Sequence, residues 1–163
     1  MLVIRDVLLI AITINLWILT VMIGPADGVW SLAISVVTGL MTVLIGYLLH
    51  EWGHLIGAWL RGSVVHLPAS TASVFLFRFD TVQNSREQFL AMSAGGFISS
   101  IIVVAFLIVA LPQGLLASTI ALGLTALGVL ATFILEIPPA WKVLRGGAMP
   151  QGAAFVSTPT SGS

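Results

Sequence analysis

Four apolar stretches, each long enough to cross a bilayer as a helix, leave this 163-residue chain few folds to choose from. A crossing takes about 20 helical residues. The first stretch runs from about Val7 to Ile23, and Gly24-Pro25-Ala26-Asp27-Gly28 breaks it, a turn-rich pentamer. The second runs from Val29 to Leu60, longer than one crossing, so it is tilted or begins outside the hydrocarbon. The third spans about Glu87 to Leu111, followed by a turn at Pro112-Gln113-Gly114. The fourth spans Leu115 to Ile137 and is expected to stop at Pro138-Pro139. Only 7% of the residues are charged, against roughly a quarter in soluble domains, so the chain cannot cover a water-facing surface. The expected fold is an all-α integral membrane protein of about four transmembrane helices. Residues 1–145 form a single transmembrane domain, and 146–163, rich in Gly, Ser, Thr and Pro, a disordered tail. The first stretch also has features of a cleaved signal peptide. Asp6 beside Arg5 and the length of the run favour a retained helix.

The six cations fix an orientation. Arg5 precedes the first helix, Arg61, Arg78 and Arg86 lie between the second and third, and Lys142 and Arg145 follow the fourth. Four crossings with both termini cytoplasmic put all six inside, as the positive-inside rule prefers. A bacterial inner (cytoplasmic) membrane is the expected location. Zero formal net charge offers no basic patch for nucleic acid, so the expected partners are lipid and membrane proteins. With no cysteine, disulfides, thiolate metal sites and thiol nucleophiles are excluded. A transition metal must use His, Asp, Glu or water.

Between helices two and three, Val74-Phe75-Leu76-Phe77-Arg78-Phe79 alternates like a strand, with Phe75, Phe77 and Phe79 on one face. Val64-Val65-His66-Leu67 could pair with it as a short cytoplasmic hairpin. Two readings are open: a hairpin resting on the membrane surface, or an exposed edge that captures an extended peptide.

The second stretch contains His50-Glu51-Trp52-Gly53-His54. Residues four apart share a helix face, so both imidazoles can reach one ion, and Glu51 is placed to act as general base. Three ionisable groups inside an apolar segment are costly unless they serve a purpose. Catalytic zinc sites generally use three protein ligands and leave a position for water. Glu136 is the candidate third ligand. It lies six positions before Lys142, about 9 Å along a helix, while His54 lies seven before Arg61, about 10 Å. The alternative for Glu136 is a helix-end carboxylate that snorkels or pairs with Lys142 or Arg145. Asp80 and His66 sit in the loop, and Asp6 and Asp27 on the wrong side. Gly39, Gly46 and Gly53 recur at intervals of seven on the second helix, with Gly57 four after Gly53, and Ala91, Gly95 and Ser99 make a similar stripe on the third; such small residues suit ordinary close packing of helices.

The motif resembles the H-E-x-G-H of the site-2 protease family of intramembrane zinc metalloproteases. Ala94-Gly95-Gly96-Phe97-Ile98-Ser99 is similar to the family's A-G-P segment followed by a polar residue, with Gly96 in place of proline and Ser99 in place of asparagine. The family's last ligand is an aspartate in a D-G pair near prolines. Leu135-Glu136-Ile137-Pro138-Pro139-Ala140-Trp141-Lys142 has the prolines, but Trp141 stands where the aspartate would be. Either Glu136 replaces it or the site is incomplete. The resemblance, from Gly39 to about Gly147, implies a zinc endopeptidase acting on transmembrane or juxtamembrane segments, with His50, His54 and Glu136 on zinc and Glu51 as base. The alternative is a non-catalytic relative, a partner subunit or assembly factor in a larger membrane complex.

Overall fold

The computed structural model describes residues 2–23, 28–70, 73 and 75–157, with the side chain of Ile23 excepted. The expected turn at 24–27, Asp27 and Val74 lie outside the described residues, as do 158–163 of the tail. Helices α1 (Leu2–Ile23), α2 (Val29–Leu60), α3 (Arg86–Ala110) and α4 (Leu116–Leu144) are all long and apolar enough to span a bilayer. Three short strands, β1 (Val65–His66), β2 (Arg78–Asp80) and β3 (Phe155–Val156), complete the fold. The chain is thus an all-α integral membrane protein with a small sheet attached.

Exposed apolar side chains cover the helices, as lipid contact requires: Val109 is 87% and Leu60 81% exposed. Trp30 and Trp59, both strongly exposed, stand near the two ends of α2. Amphipathic indoles are suited to membrane–water interfaces.

Two compact units make up the chain. The first comprises residues 1–49 and 101–130, the second 50–100 and 131–163, so α2, α3 and α4 contribute to both. In the first unit, hydroxyls join α1 to α2. The Trp17 indole N–H donates to Thr42 Oγ1 at 2.9 Å, and the buried hydroxyls of Thr20 and Thr38 meet at 2.8 Å. Interhelical bonds of this kind hold helices together where lipid supplies no hydrophobic drive. Gly39 lets α2 lie against Ile120 and the Ala117 carbonyl of α4.

In the second unit, α2 and α3 approach until their backbones touch. A Cβ on Gly53 would strike Ser99 and the Gly95 carbonyl, one on Gly57 the Ala91 carbonyl, and one on Gly95 the Gly53 carbonyl. Gly53 and Gly57 of α2 thus meet the Ala91–Gly95–Ser99 stripe of α3. Gly62, at φ +62°, closes α2. Its N–H donates to the Trp59 carbonyl and that of Ser63 to the Ala58 carbonyl, a Schellman motif. A capping box opens α3: Gln88 N–H donates to Ser85 Oγ, and Ser85 N–H to Gln88 Oε1.

Three expectations need correction. Helix α4 does not stop at Pro138-Pro139 but continues to Leu144. The two prolines release only the Ile134 and Leu135 carbonyls from their ladder bonds. Ending the helix there would strand a full turn of carbonyls in an apolar setting. Glu136 is therefore mid-helix, not at a helix end. The strand proposed over 74–79 shrinks to β2, with a bend at Phe75–Leu76, because Leu76 turns its N–H to Glu51 instead of a ladder. The tail is not featureless either. Phe155–Val156 forms β3, parallel to β2, with Phe79 opposite Phe155 and Asp80 opposite Val156. The hairpin pairing itself is present: Val65 lies opposite Phe79 and His66 opposite Arg78. Phe155 is the anchor, tilted against Phe89 at 6.2 Å in a cluster that includes Phe79.

Candidate metal centre

Helix α2 carries His50 and His54 one turn apart, and both rings point the same way. Their Nε2 atoms are 3.0 Å apart. Each is 3.3 Å from an oxygen of Glu136 on α4, His50 from Oε1 and His54 from Oε2. Glu136 turns its carboxylate to the imidazoles, and the three groups form a cluster able to hold a metal ion. Four ligands at about 2.0–2.1 Å in a tetrahedron would stand roughly 3.3 Å from one another. The observed separations of 3.0 to 3.3 Å match that spacing.

Helix α3 sets the rings. His54 Nδ1 lies 2.9 Å from the Met92 carbonyl, and His50 Nδ1 lies 3.2 Å from the Gly96 carbonyl and 2.9 Å from Ser100 Oγ. A carbonyl only accepts, so Nδ1 of each ring carries the proton. In the neutral imidazoles, both Nε2 lone pairs then face the gap. Two lone pairs and a carboxylate so close repel unless a metal cation or a proton lies among them. Outer-shell carbonyls of this kind fix tautomer and ring orientation at metal sites. Met92, Gly96 and Ser100 were not foreseen. They repeat every four residues, the spacing of His50 and His54, one position along from the Ala91–Gly95–Ser99 stripe.

Gly96 is a tight constraint on the His54 ring. A Cβ there would run into the His54 ring. We expect Gly96→Ala to push the imidazole off the Met92 carbonyl and to weaken metal binding by about 10–100-fold, the usual effect of losing an outer-shell partner. Titration with zinc or cobalt beside a thermal melt checks this: affinity should fall while the melting temperature changes little.

Glu51 lies on the same turn of α2 as the ligands and is buried. Its Oε2 accepts the Leu76 N–H at 3.2 Å, which leaves Oε1 for other work. Together with His54 and Glu136 it lines a cavity of about 220 Å³ whose remaining wall is mostly apolar, including Phe75, Phe77, Phe79 and Phe89. The cavity has room for water and for an apolar side chain.

Among the described residues, the other acids do not join the cluster. Asp80 pairs with His66 at 2.9 Å and, through Oδ1, accepts the N–H groups of Val82 and Gln83. Asp6 lies beside Arg5 at 2.7 Å. Trp141 is half exposed with the Arg145 guanidinium 4.7 Å above its ring. The His66 hydrogen bond, foremost, holds the Asp80 carboxyl down at about 2 from an ordinary 3.8. Asp80 is covered by its own loop, not sunk in a core. With the folded value below the unfolded one, Asp80 supports the loop fully above pH 3.8 and loses that effect as pH falls through about 2. His66→Ala should raise the Asp80 titration midpoint toward 3.8, read by carbon-13 carboxylate shifts in micelles. An unmoved midpoint would remove His66 as the cause.

No family model matches this chain, and neither a curated protein nor a solved structure is similar to it.

Proposed function

We propose that the chain is an intramembrane zinc endopeptidase of the site-2 protease type, cleaving transmembrane or juxtamembrane segments of other membrane proteins. The observation that carries this reading is the His50–His54–Glu136 cluster, set in apolar helices beside Glu51. Two imidazoles and a carboxylate are a donor set of catalytic zinc sites. Zinc, when bound, supplies Lewis acidity to a peptide carbonyl and to water.

The chain's own residues do the rest. Glu51 accepts the proton of the attacking water and returns it to the departing amide nitrogen. The Leu76 N–H holds the carboxylate in place meanwhile. The apolar part of the wall is suited to receive apolar side chains. A scissile bond must arrive extended, since a helical carbonyl is already bonded and shielded. The distribution of Lys and Arg supports a site nearer the cytoplasmic face of a bacterial inner membrane, with both termini inside.

One observation favours a second reading, a non-catalytic subunit or assembly factor: Trp141 stands where the resembling family keeps its aspartate. Purified protein incubated in liposomes with a tagged transmembrane substrate separates the two. Cleavage that a chelator stops and zinc restores is expected. A zinc-loaded chain that cleaves none of a panel of membrane segments would leave the subunit reading standing.

A further inference from the structure

We propose that β3 occupies the place in which an extended segment of the substrate binds, so that the tail is an internal plug which substrate displaces. The cleavage part of this proposal rests on the peptidase reading; the binding part does not.

Strand β2 is the middle strand of the sheet, with β1 on one edge and β3 on the other. Few bonds hold β3. Phe79 N–H donates to the Ala154 carbonyl and Thr81 N–H to the Val156 carbonyl, each at 3.0 Å. The Arg78 guanidinium donates to the Phe155 carbonyl at 2.9 Å and the Thr81 hydroxyl to that of Val156 at 3.0 Å. These four bonds go to tail carbonyls, and the rest of the ladder is backbone pairing, Phe79 opposite Phe155 and Asp80 opposite Val156, so any extended peptide could take its place. Edge pairing of this sort is a general means of gripping an extended chain whatever its sequence.

The position of this edge gives it meaning. Three residues before Phe79, the same segment bonds Glu51 through the Leu76 N–H. Upstream of β3 the tail borders the same cavity as Glu51, through Pro150. It turns at Gly152, where φ is +145° and the carbonyl accepts the Phe155 N–H at 3.0 Å. Pro150, Ala154 and Phe155 then line the very cavity that holds Glu51, His54 and Glu136. The tail thus occupies the edge of β2 and forms part of the wall of the cavity that Glu51 lines.

One thing follows about the substrate: it presents an extended segment with a bulky apolar or aromatic side chain where Phe155 sits.

The chain has no cysteine, so the pair Thr81→Cys with Ser157→Cys, one step beyond the Asp80–Val156 pairing, can lock the tail by a disulfide. The probe is a fluorescein-labelled peptide with the sequence of residues 151–157. A chain truncated after Pro150 is expected to bind it saturably, and the oxidised lock is expected not to until it is reduced. Cleavage by the oxidised lock should fall by at least about tenfold below the reduced form, as when a competent state is held to a tenth of its population. Peptide binding equal in the oxidised and reduced lock overturns the proposal. So does an absence of binding to a truncated chain that still takes up zinc. If no variant cleaves anything yet the lock still controls peptide binding, the peptidase reading falls and the plug remains.

Discussion

Glu51→Gln should lower cleavage by about 10²–10⁴-fold, the range that a positioned general base contributes, while zinc affinity and thermal stability stay unchanged. The substitution is nearly isosteric. The glutamine carbonyl oxygen can still accept the Leu76 N–H that Glu51 Oε2 accepts at 3.2 Å, so the loop keeps its anchor. Only the ability to take a proton is lost. Glu51 is also absent from the ligand cluster, so metal content has no reason to fall. This separates the residue's role from that of its neighbours: replacing His50 or His54 should abolish zinc binding and cleavage together. Single-turnover cleavage in liposomes, with zinc measured on the same sample, gives the comparison. Undiminished cleavage by the Gln variant would exclude Glu51 as base. If Glu51 proves dispensable for every function of the chain while the histidines do not, the centre is structural.

How much of this was readable beforehand depended on whether the relevant forces are local. Helix positions follow from apolar run length, and α2 keeps its expected bounds at Val29 and Leu60. His50 and His54 sit four apart on one helix, so their convergence needs no tertiary information. Glu136 came from matching depth along two helices, a one-dimensional argument that could not say which way its side chain turned. The end of α4 was misjudged because Pro138 and Pro139 act differently in an apolar environment, where stopping costs more than continuing. Met92, Gly96 and Ser100 escaped because two of them act through backbone carbonyls, which any residue possesses. Only Gly96 leaves a trace in sequence, as the place where α3 has no Cβ to obstruct the His54 ring. β3 was invisible for another reason. Two residues among Gly, Ala and Ser carry no periodicity, and the pairing with β2 is set by Phe155 packing on Phe89, far away in sequence.

The third ligand offers the sharpest test of the centre. Glu136→Ala should weaken zinc binding by at least about 100-fold, beyond the 10–100-fold typical of an outer-shell partner, because a direct ligand is lost. Glu136→Asp withdraws the carboxylate by one methylene from oxygens that now lie 3.3 Å from both Nε2 atoms, and should fall between the two. The informative comparison adds Trp141→Asp to Glu136→Ala, restoring an aspartate at the position where the resembling family carries its ligand. Five residues along a continuous helix rotate a side chain by about 140°, and α4 is continuous through Leu144. Trp141 is accordingly half exposed, its ring beneath Arg145. An aspartate there faces away from the histidines, so the double variant should bind zinc no better than Glu136→Ala alone. Recovery of zinc binding in the double variant would mean that α4 unwinds at its prolines to bring residue 141 to the site, and that Glu136 is a neighbour of the metal and not its ligand. Isothermal titration with zinc across the three variants decides between a helix that places its ligand one turn early and a helix that must open to place it at all.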